Sequence, residues 1–172
     1  MIIPVLTSKD IQVGAGTIRS LQRQDRVTLL GILRATGVFT DDEIEIALEL
    51  IDSVLDRPEQ SDYLIRVYEQ SGRVLGYYCV GPTPATAATF DLYWIAVDPE
   101  VHGGGVGTIL NKDAEDLIRG RGGSLVIAET SSQPRYEKTR GFYIRRGYEE
   151  LARIRSYYRP GDDLVIYGKY LS

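Results

Sequence analysis

The stretch Ile95-Ala96-Val97-Asp98-Pro99-Glu100-Val101-His102-Gly103-Gly104-Gly105-Val106-Gly107-Thr108 decides how this chain is read. An apolar strand runs into a turn, then a glycine-rich loop, then a helix with Val106, Leu110, Ala114, Leu117 and Ile118 along one face. Four glycines within residues 103–107 leave backbone N–H groups with no side chain in front of them. The helix start adds unpaired N–H groups and the positive end of its dipole. Together they predict a seat for a phosphate or pyrophosphate. A plain strand-to-helix turn needs fewer glycines.

Two common phosphate loops do not match. A P-loop carries a lysine after its last glycine, but Gly107 is followed by Thr108, Ile109 and Leu110. A dinucleotide fingerprint has glycine at the sixth position. Counted from Gly103 that position is Thr108, and from Gly105 it is Leu110.

Around this loop the periodicity lays out one domain. Residues 1–16 read as an arm or an extra edge strand, and 17–172 as the domain proper. Thr17–Gln22 reads as a short strand. Asp25 can cap a helix through Val27, Leu29, Leu30, Ile32 and Leu33, with Gly37 as its stop. Thr40-Asp41-Asp42-Glu43 has capping-box spacing before Ile44, Ala47, Leu48, Ile51, Val54 and Leu55. Tyr63–Tyr68 and Val74–Val80 read as a hairpin, and Phe90–Val97 as the strand before the loop. Ser124–Thr130 is a strand reached by a helical crossover, hence expected parallel to its predecessor. Tyr136–Arg146 reads as helix. Tyr148–Tyr157 and Leu164–Tyr170 pair as a last hairpin. The expectation is an α/β (α+β) fold: a mixed, mainly antiparallel sheet of about seven strands with helices on both faces.

Bulk properties narrow the classes. The chain has 172 residues and can bury roughly 70% of its unfolded surface without cross-links. One cysteine, Cys79, allows no internal disulfide. A formal net charge of −4 argues against general nucleic-acid binding. No apolar run approaches the ~20 residues of a membrane span, and the N-terminus lacks the basic flank of a secretion signal. A cytoplasmic protein is expected. With one histidine and one cysteine, no metal site is expected.

Two motifs then resemble the GNAT superfamily of N-acetyltransferases, whose element order fits residues 17–172. Val97-Asp98-Pro99 precedes His102-Gly103-Gly104-Gly105-Val106-Gly107, similar to the family's Gln/Arg-x-x-Gly-x-Gly/Ala loop. His102 replaces the Gln/Arg, and Gly103 and Gly104 stand where a basic residue is common. Phe142-Tyr143-Ile144-Arg145-Arg146-Gly147-Tyr148 is similar to the family's Phe-Tyr-x-x-x-Gly-Phe.

The resemblance implies acetyl-CoA, its pyrophosphate on the backbone of His102, Gly103, Gly104, Gly105, Val106, Gly107 and Thr108. It places the pantetheine arm along Ile95, Ala96 and Val97, with the Val97 N–H at the thioester carbonyl. It implies Tyr143 as the acid that protonates the leaving thiolate. Strand alternation puts Asp91 on the face of Tyr93, Ile95 and Val97, where it is a candidate base. Glu129 is a second candidate, and water a third. Tyr136, Thr139 and Phe142, spaced along one helix, are expected to line the cofactor. Eight basic residues between Arg135 and Arg159 are either a solvated face or a patch for the 3′-phosphate. Cys79 reads as core.

The acceptor is then a primary amine of a small molecule or peptide. The C-terminal hairpin and the N-terminal arm are candidate elements of a homodimer. The alternatives are a non-catalytic acyl-CoA-binding module on the same fold and an unrelated nucleotide-binding domain.

Overall fold

The computed structural model describes residues 16–172, so the arm expected over 1–16 lies, but for Gly16, outside the described residues. The described order is β1 (Thr17–Ser20), α1 (Asp25–Ala35), α2 (Asp41–Asp56), β2 (Leu64–Gln70), β3 (Arg73–Pro82), β4 (Thr89–Val97), α3 (Val106–Gly120), β5 (Leu125–Ser131), α4 (Glu137–Arg145), β6 (Glu149–Arg159) and β7 (Asp162–Tyr170). The seven strands form one sheet in the order β1-β2-β3-β4-β5-β7-β6. Only β4 and β5 are parallel; the other pairs are antiparallel.

Two cores follow from the two faces. Leu29, Ile32 and Leu33 of α1 and Ile44, Ala47 and Ile51 of α2 bury against Val67, Tyr77, Cys79 and Ala96 of the sheet. Val106, Leu110, Ala114 and Ile118 of α3 and Tyr143 of α4 bury against Tyr78, Val80, Leu92, Val126, Val165 and Tyr167 on the other side. Cys79 lies in the first core, and burial pushes its thiol up to about 12, so it stays protonated and inert.

Local chemistry sets the ends. The capping box at α2 is present in full: Glu43 N–H donates to Thr40 Oγ1, and the Glu43 carboxylate accepts from Thr40 N–H. The first strand ends at Ser20 rather than Gln22, because the Asp25 carboxylate accepts the Gln22 N–H at 2.8 Å and turns the chain. Asp25 is therefore the first helical residue of α1, with Gln24 in the cap position. The last hairpin is longer than expected and turns through Pro160-Gly161, with Gly161 at φ +80. Lys169 of β7 anchors α3 by donating to Glu115 Oε1 and Oε2 at 2.8 and 2.9 Å, and it holds the end of α4 through Arg146 O at 2.8 Å.

Candidate active site

The sheet opens at its one parallel seam. Strands β4 and β5 pair only over Thr89–Asp91 and Leu125–Ile127. Beyond that point β4 continues against β3 as far as Val97, and β5 against β7 as far as Ser131. The strands part, and the inner edges of both are left facing a gap.

A one-residue bulge in β4 decides which side chains stand on which side of this gap. Cys79 pairs with Trp94 and Val80 with Leu92, so Tyr93 is an extra residue. Phe90 and Leu92 pack towards α3; Tyr93 and Trp94 both pack towards α1 and α2; Ile95 and Val97 return to the α3 side. Asp91 thus lies on the α1/α2 side with Tyr93. The expected sharing of one face by Asp91, Tyr93, Ile95 and Val97 is corrected: unbroken alternation cannot survive the bulge.

The backbone of β4 is oriented by the same register. Asp98 N–H donates to Leu75 O at 2.8 Å across β3. Alternation then turns the N–H groups of Ile95 and Val97 away from β3, into the gap. Ala96 points its side chain into the core under α1 and α2.

In the glycine loop two N–H groups are engaged within the loop. His102 N–H donates to Pro99 O and Gly104 N–H to Val101 O. The first bond into α3 is from Ile109 N–H to Gly105 O, so the donors of Gly103, Gly105, Val106, Gly107 and Thr108 have no acceptor within the loop or the helix. This narrows the expected His102–Thr108 cradle and removes the expected backbone role of His102. Its imidazole instead folds back, and Nε2 donates to Val97 O at 3.0 Å, tying the loop to the end of β4. Gly103 and Gly105 have φ of +81 and +90, a region that favours glycine. A Cβ on Gly107 would stand 3.2 Å from the Phe142 ring and 3.7 Å from Val97 Cγ2. Phe142 therefore closes on the loop from α4, as does Arg146, whose Nη1 donates to Thr108 Oγ1 at 3.0 Å.

Tyr143 is buried on the α3/α4 side. Its ring packs against Phe142, Tyr148 and Tyr167 at centroid distances of 5.8, 5.4 and 5.8 Å. Burial pushes its phenol well above the ordinary value, so it is held protonated. Across the sheet stand the carboxylates. Asp91 pairs in register with Ile127, and Glu129 is two residues further along β5, so both project from the α1/α2 side. Asp91 accepts from Thr83 Oγ1 at 2.7 Å. Burial, and then the charge of Asp91, raise the Glu129 carboxyl above its usual 4.5.

Tyr136 departs from expectation. It sits in a 3-10 turn, Pro134–Tyr136, ahead of α4 rather than on a helix with Thr139 and Phe142. Its buried hydroxyl donates to Glu43 Oε1 at the start of α2, which places it on the acid-bearing side of the sheet rather than along the glycine loop. Thr139 is half-buried on α4. Part of the basic run is engaged locally: Arg140 donates to Ser131 O and Gln133 O, Arg153 to Glu150, and Arg159 to Asp162.

Further tyrosines stand on the side of Asp91 and Glu129. Tyr63 meets Tyr93 edge-on at 5.5 Å. Residues 155–158 bulge opposite Asp163 and carry Tyr157 and Tyr158 out of the ladder. The capping box made Glu43 legible, but nothing local signals that a tyrosine 93 positions away completes it. Among the described residues no cluster of His, Cys, Asp or Glu could hold a metal ion, and no helix is long and apolar enough to cross a membrane.

A family model for the GNAT acetyltransferase domain matches residues 61–150, which run from the start of β2 to the start of β6. The chain is a GNAT acetyltransferase. A solved structure from Desulfovibrio desulfuricans, of a protein assigned to the GNAT family, is 37% identical with a TM-score of 0.88, covering 92% of this chain and all of that one. The same fold appears in the ribosomal-protein-S18-alanine N-acetyltransferase of Escherichia coli, at 21% identity and a TM-score of 0.72, covering 91% and 94% of the two chains. It appears again in an aminoglycoside 6′-N-acetyltransferase complexed with coenzyme A, at 15% identity and a TM-score of 0.71, covering 90% and 96%. None of the curated proteins matches this GNAT acetyltransferase in sequence.

Proposed function

We propose that this GNAT acetyltransferase moves an acetyl group from acetyl-CoA to a primary amine by direct attack, with the sheet gap as the reaction locus. The observation that carries this reading is that a phenol and two carboxylates lie on opposite sides of that gap. Tyr143 lies on the α3/α4 side, and Glu129 with Asp91 on the other.

The residues fit acetyl-CoA on three counts. The loop offers five N–H donors without loop or helix acceptors, from Gly103 and from Gly105 to Thr108, at the start of a 15-residue helix. Gly107 leaves the space between Phe142 and Val97 that any Cβ would occupy. Arg146, beside Thr108, adds a cation for a phosphate oxygen. The bound thioester supplies an activated acyl group.

The chain's own residues do the rest. Val97 N–H, facing the gap, donates to the acyl oxygen as charge develops there. Glu129, made more basic by burial and by Asp91, takes a proton from the amine directly or through water. The N–C bond forms as the C–S bond breaks, and Tyr143 gives its proton to the departing sulfur. Three readings for the base were open, Asp91, Glu129 and water; the raised carboxyl favours Glu129, with Asp91 acting on it.

Two measurements test this. Acetyl-CoA titrated calorimetrically should bind, and a primary amine added to the complex should release free thiol. Binding without thiol release from any amine would support the non-catalytic alternative. Failure to bind would remove the cradle assignment.

A further inference from the structure

The side of the sheet that bears Glu129 is only half covered by helices. Helices α1 and α2 pack over β2, β3 and β4, and none of the described helices covers β5 or β7 there. The edge between the covered and bare halves is closed at one point by the bond from Tyr136 Oη to Glu43 Oε1, which joins the start of α2 to the turn after β5. Glu43 is half-buried, and Tyr136 is 5% exposed. The hairpin bulge brings Tyr158 to the same rim, where Glu129 and Glu43 both act on its phenol and burial leads in raising it to about 12.

Charge is unbalanced here. Several acids elsewhere are paired: Asp52 with Arg26, Asp113 with Arg66, Glu115 with Lys169, and Asp163 with Arg153. Asp91, Glu129 and Glu43 form no ion pair among the described residues. The nearby cations are turned to other partners: Arg159 to Asp162, Arg140 to two carbonyl oxygens, and Arg135 over the Tyr136 ring. The walls are phenols: Tyr63 and Tyr93 on the strand side, Tyr136 and Tyr158 on the rim. Aromatic faces beside unpaired carboxylates suit an organic ammonium.

Resting on the acetyl-transfer reading, we propose that the acceptor is a compact amine with a second positive charge, its reacting nitrogen at Glu129 and its second ammonium at Glu43 beside Tyr136 and Tyr158. The closed rim disfavours an extended peptide, which would have to pass between α2 and the turn bonded to it. Glu43 and Tyr136 are then specificity residues: they meet the acceptor's far end and take no part in the proton transfers.

The test is steady-state thiol release on the intact chain at saturating acetyl-CoA. The probes are butylamine, 1,4-diaminobutane, spermidine and an octapeptide with a free N-terminal alanine. The diamine or spermidine should exceed butylamine and the octapeptide by at least about tenfold in kcat/KM. Glu43→Gln keeps an acceptor for the capping box and a partner for Tyr136 but removes the charge. It should raise KM for the preferred diamine or polyamine about tenfold, leaving its kcat and both constants for butylamine unchanged. Circular dichroism melts of this variant should match the parent within a few degrees. Equal use of butylamine or the octapeptide, or an unmoved KM in a folded Glu43→Gln variant, would overturn this proposal alone. Release of thiol with none of the amines would remove the acetyl-transfer reading and this proposal with it.

Discussion

Tyr143→Phe separates chemistry from packing unusually well. The ring stays, with its contacts to Phe142, Tyr148 and Tyr167. The hydroxyl makes no hydrogen bond among the described residues, so its loss orphans no partner. Folding stability should change by less than about 0.5 kcal/mol. If that hydroxyl protonates the leaving sulfur, turnover should fall by ~10²–10⁴, which is about 2.7–5.4 kcal/mol of barrier. Tyr148→Phe is the matched control. Its hydroxyl donates to buried Asn111 at 3.2 Å, so that change should cost about 1 kcal/mol of stability and little rate. The assay is thiol release at saturating donor and amine, alongside urea denaturation of both variants. A Tyr143→Phe enzyme within threefold of the parent rate, with chemistry shown to be rate-limiting, would refute the acid assignment. So would a loss of rate matched by Tyr148→Phe.

Three further outcomes follow from the site and its supports. Glu129 must be ionised to act, so the rate at saturating amine should be present above its raised value and lost as pH falls through it; Asp91→Asn should move that acid limb to lower pH, and a limb that stays in place would mean that Asp91 does not tune the base. Gly107→Val drives a Cβ to 3.2 Å from Phe142 and adds two methyl groups beyond it, so acetyl-CoA affinity should drop by at least about tenfold in calorimetry, and an unaltered Kd would remove the cradle. Lys169→Met leaves buried Glu115 with only Arg119, 3.8 Å away, for a cation and should cost about 3 kcal/mol in urea denaturation, most of it regained in the double variant with Glu115→Leu; equal losses in the single and double variants would show that the pair is not what holds α3 to β7.

What the sequence made legible was what is written locally. The glycine loop announced a strand, a turn and a helix start, and Thr40 with Glu43 announced α2 to the residue. The parallel relation of β4 and β5 followed from the helix between them. What was not legible depends on partners distant in the chain. The bulge at Tyr93 exists only in the pairing of β4 with β3, and without it alternation placed Asp91 on the wrong side. Tyr136 was spaced like a member of α4, but the Pro134 turn and the bond to Glu43 set it elsewhere. His102 looked like a silent replacement for a longer side chain. Its bond to Val97 O belongs to a fold-back of five residues that the residue type alone does not specify.

The extra residue in β4 also makes one strand serve two masters. Asp91 and Tyr93 address the α1/α2 side, Ile95 and Val97 the α3/α4 side, and the backbone of Ile95 and Val97 faces the gap. On the acetyl-transfer proposal, substitutions at Asp91 or Tyr93 should retune which amine is taken without disturbing the donor seat, and changes at Ile95 or Val97 should do the reverse. Excising one residue from the bulge would restore strict alternation and carry Asp91 to the opposite side while Val97 kept its place. A strand built this way can diversify one half of a two-substrate reaction while the other half is held constant.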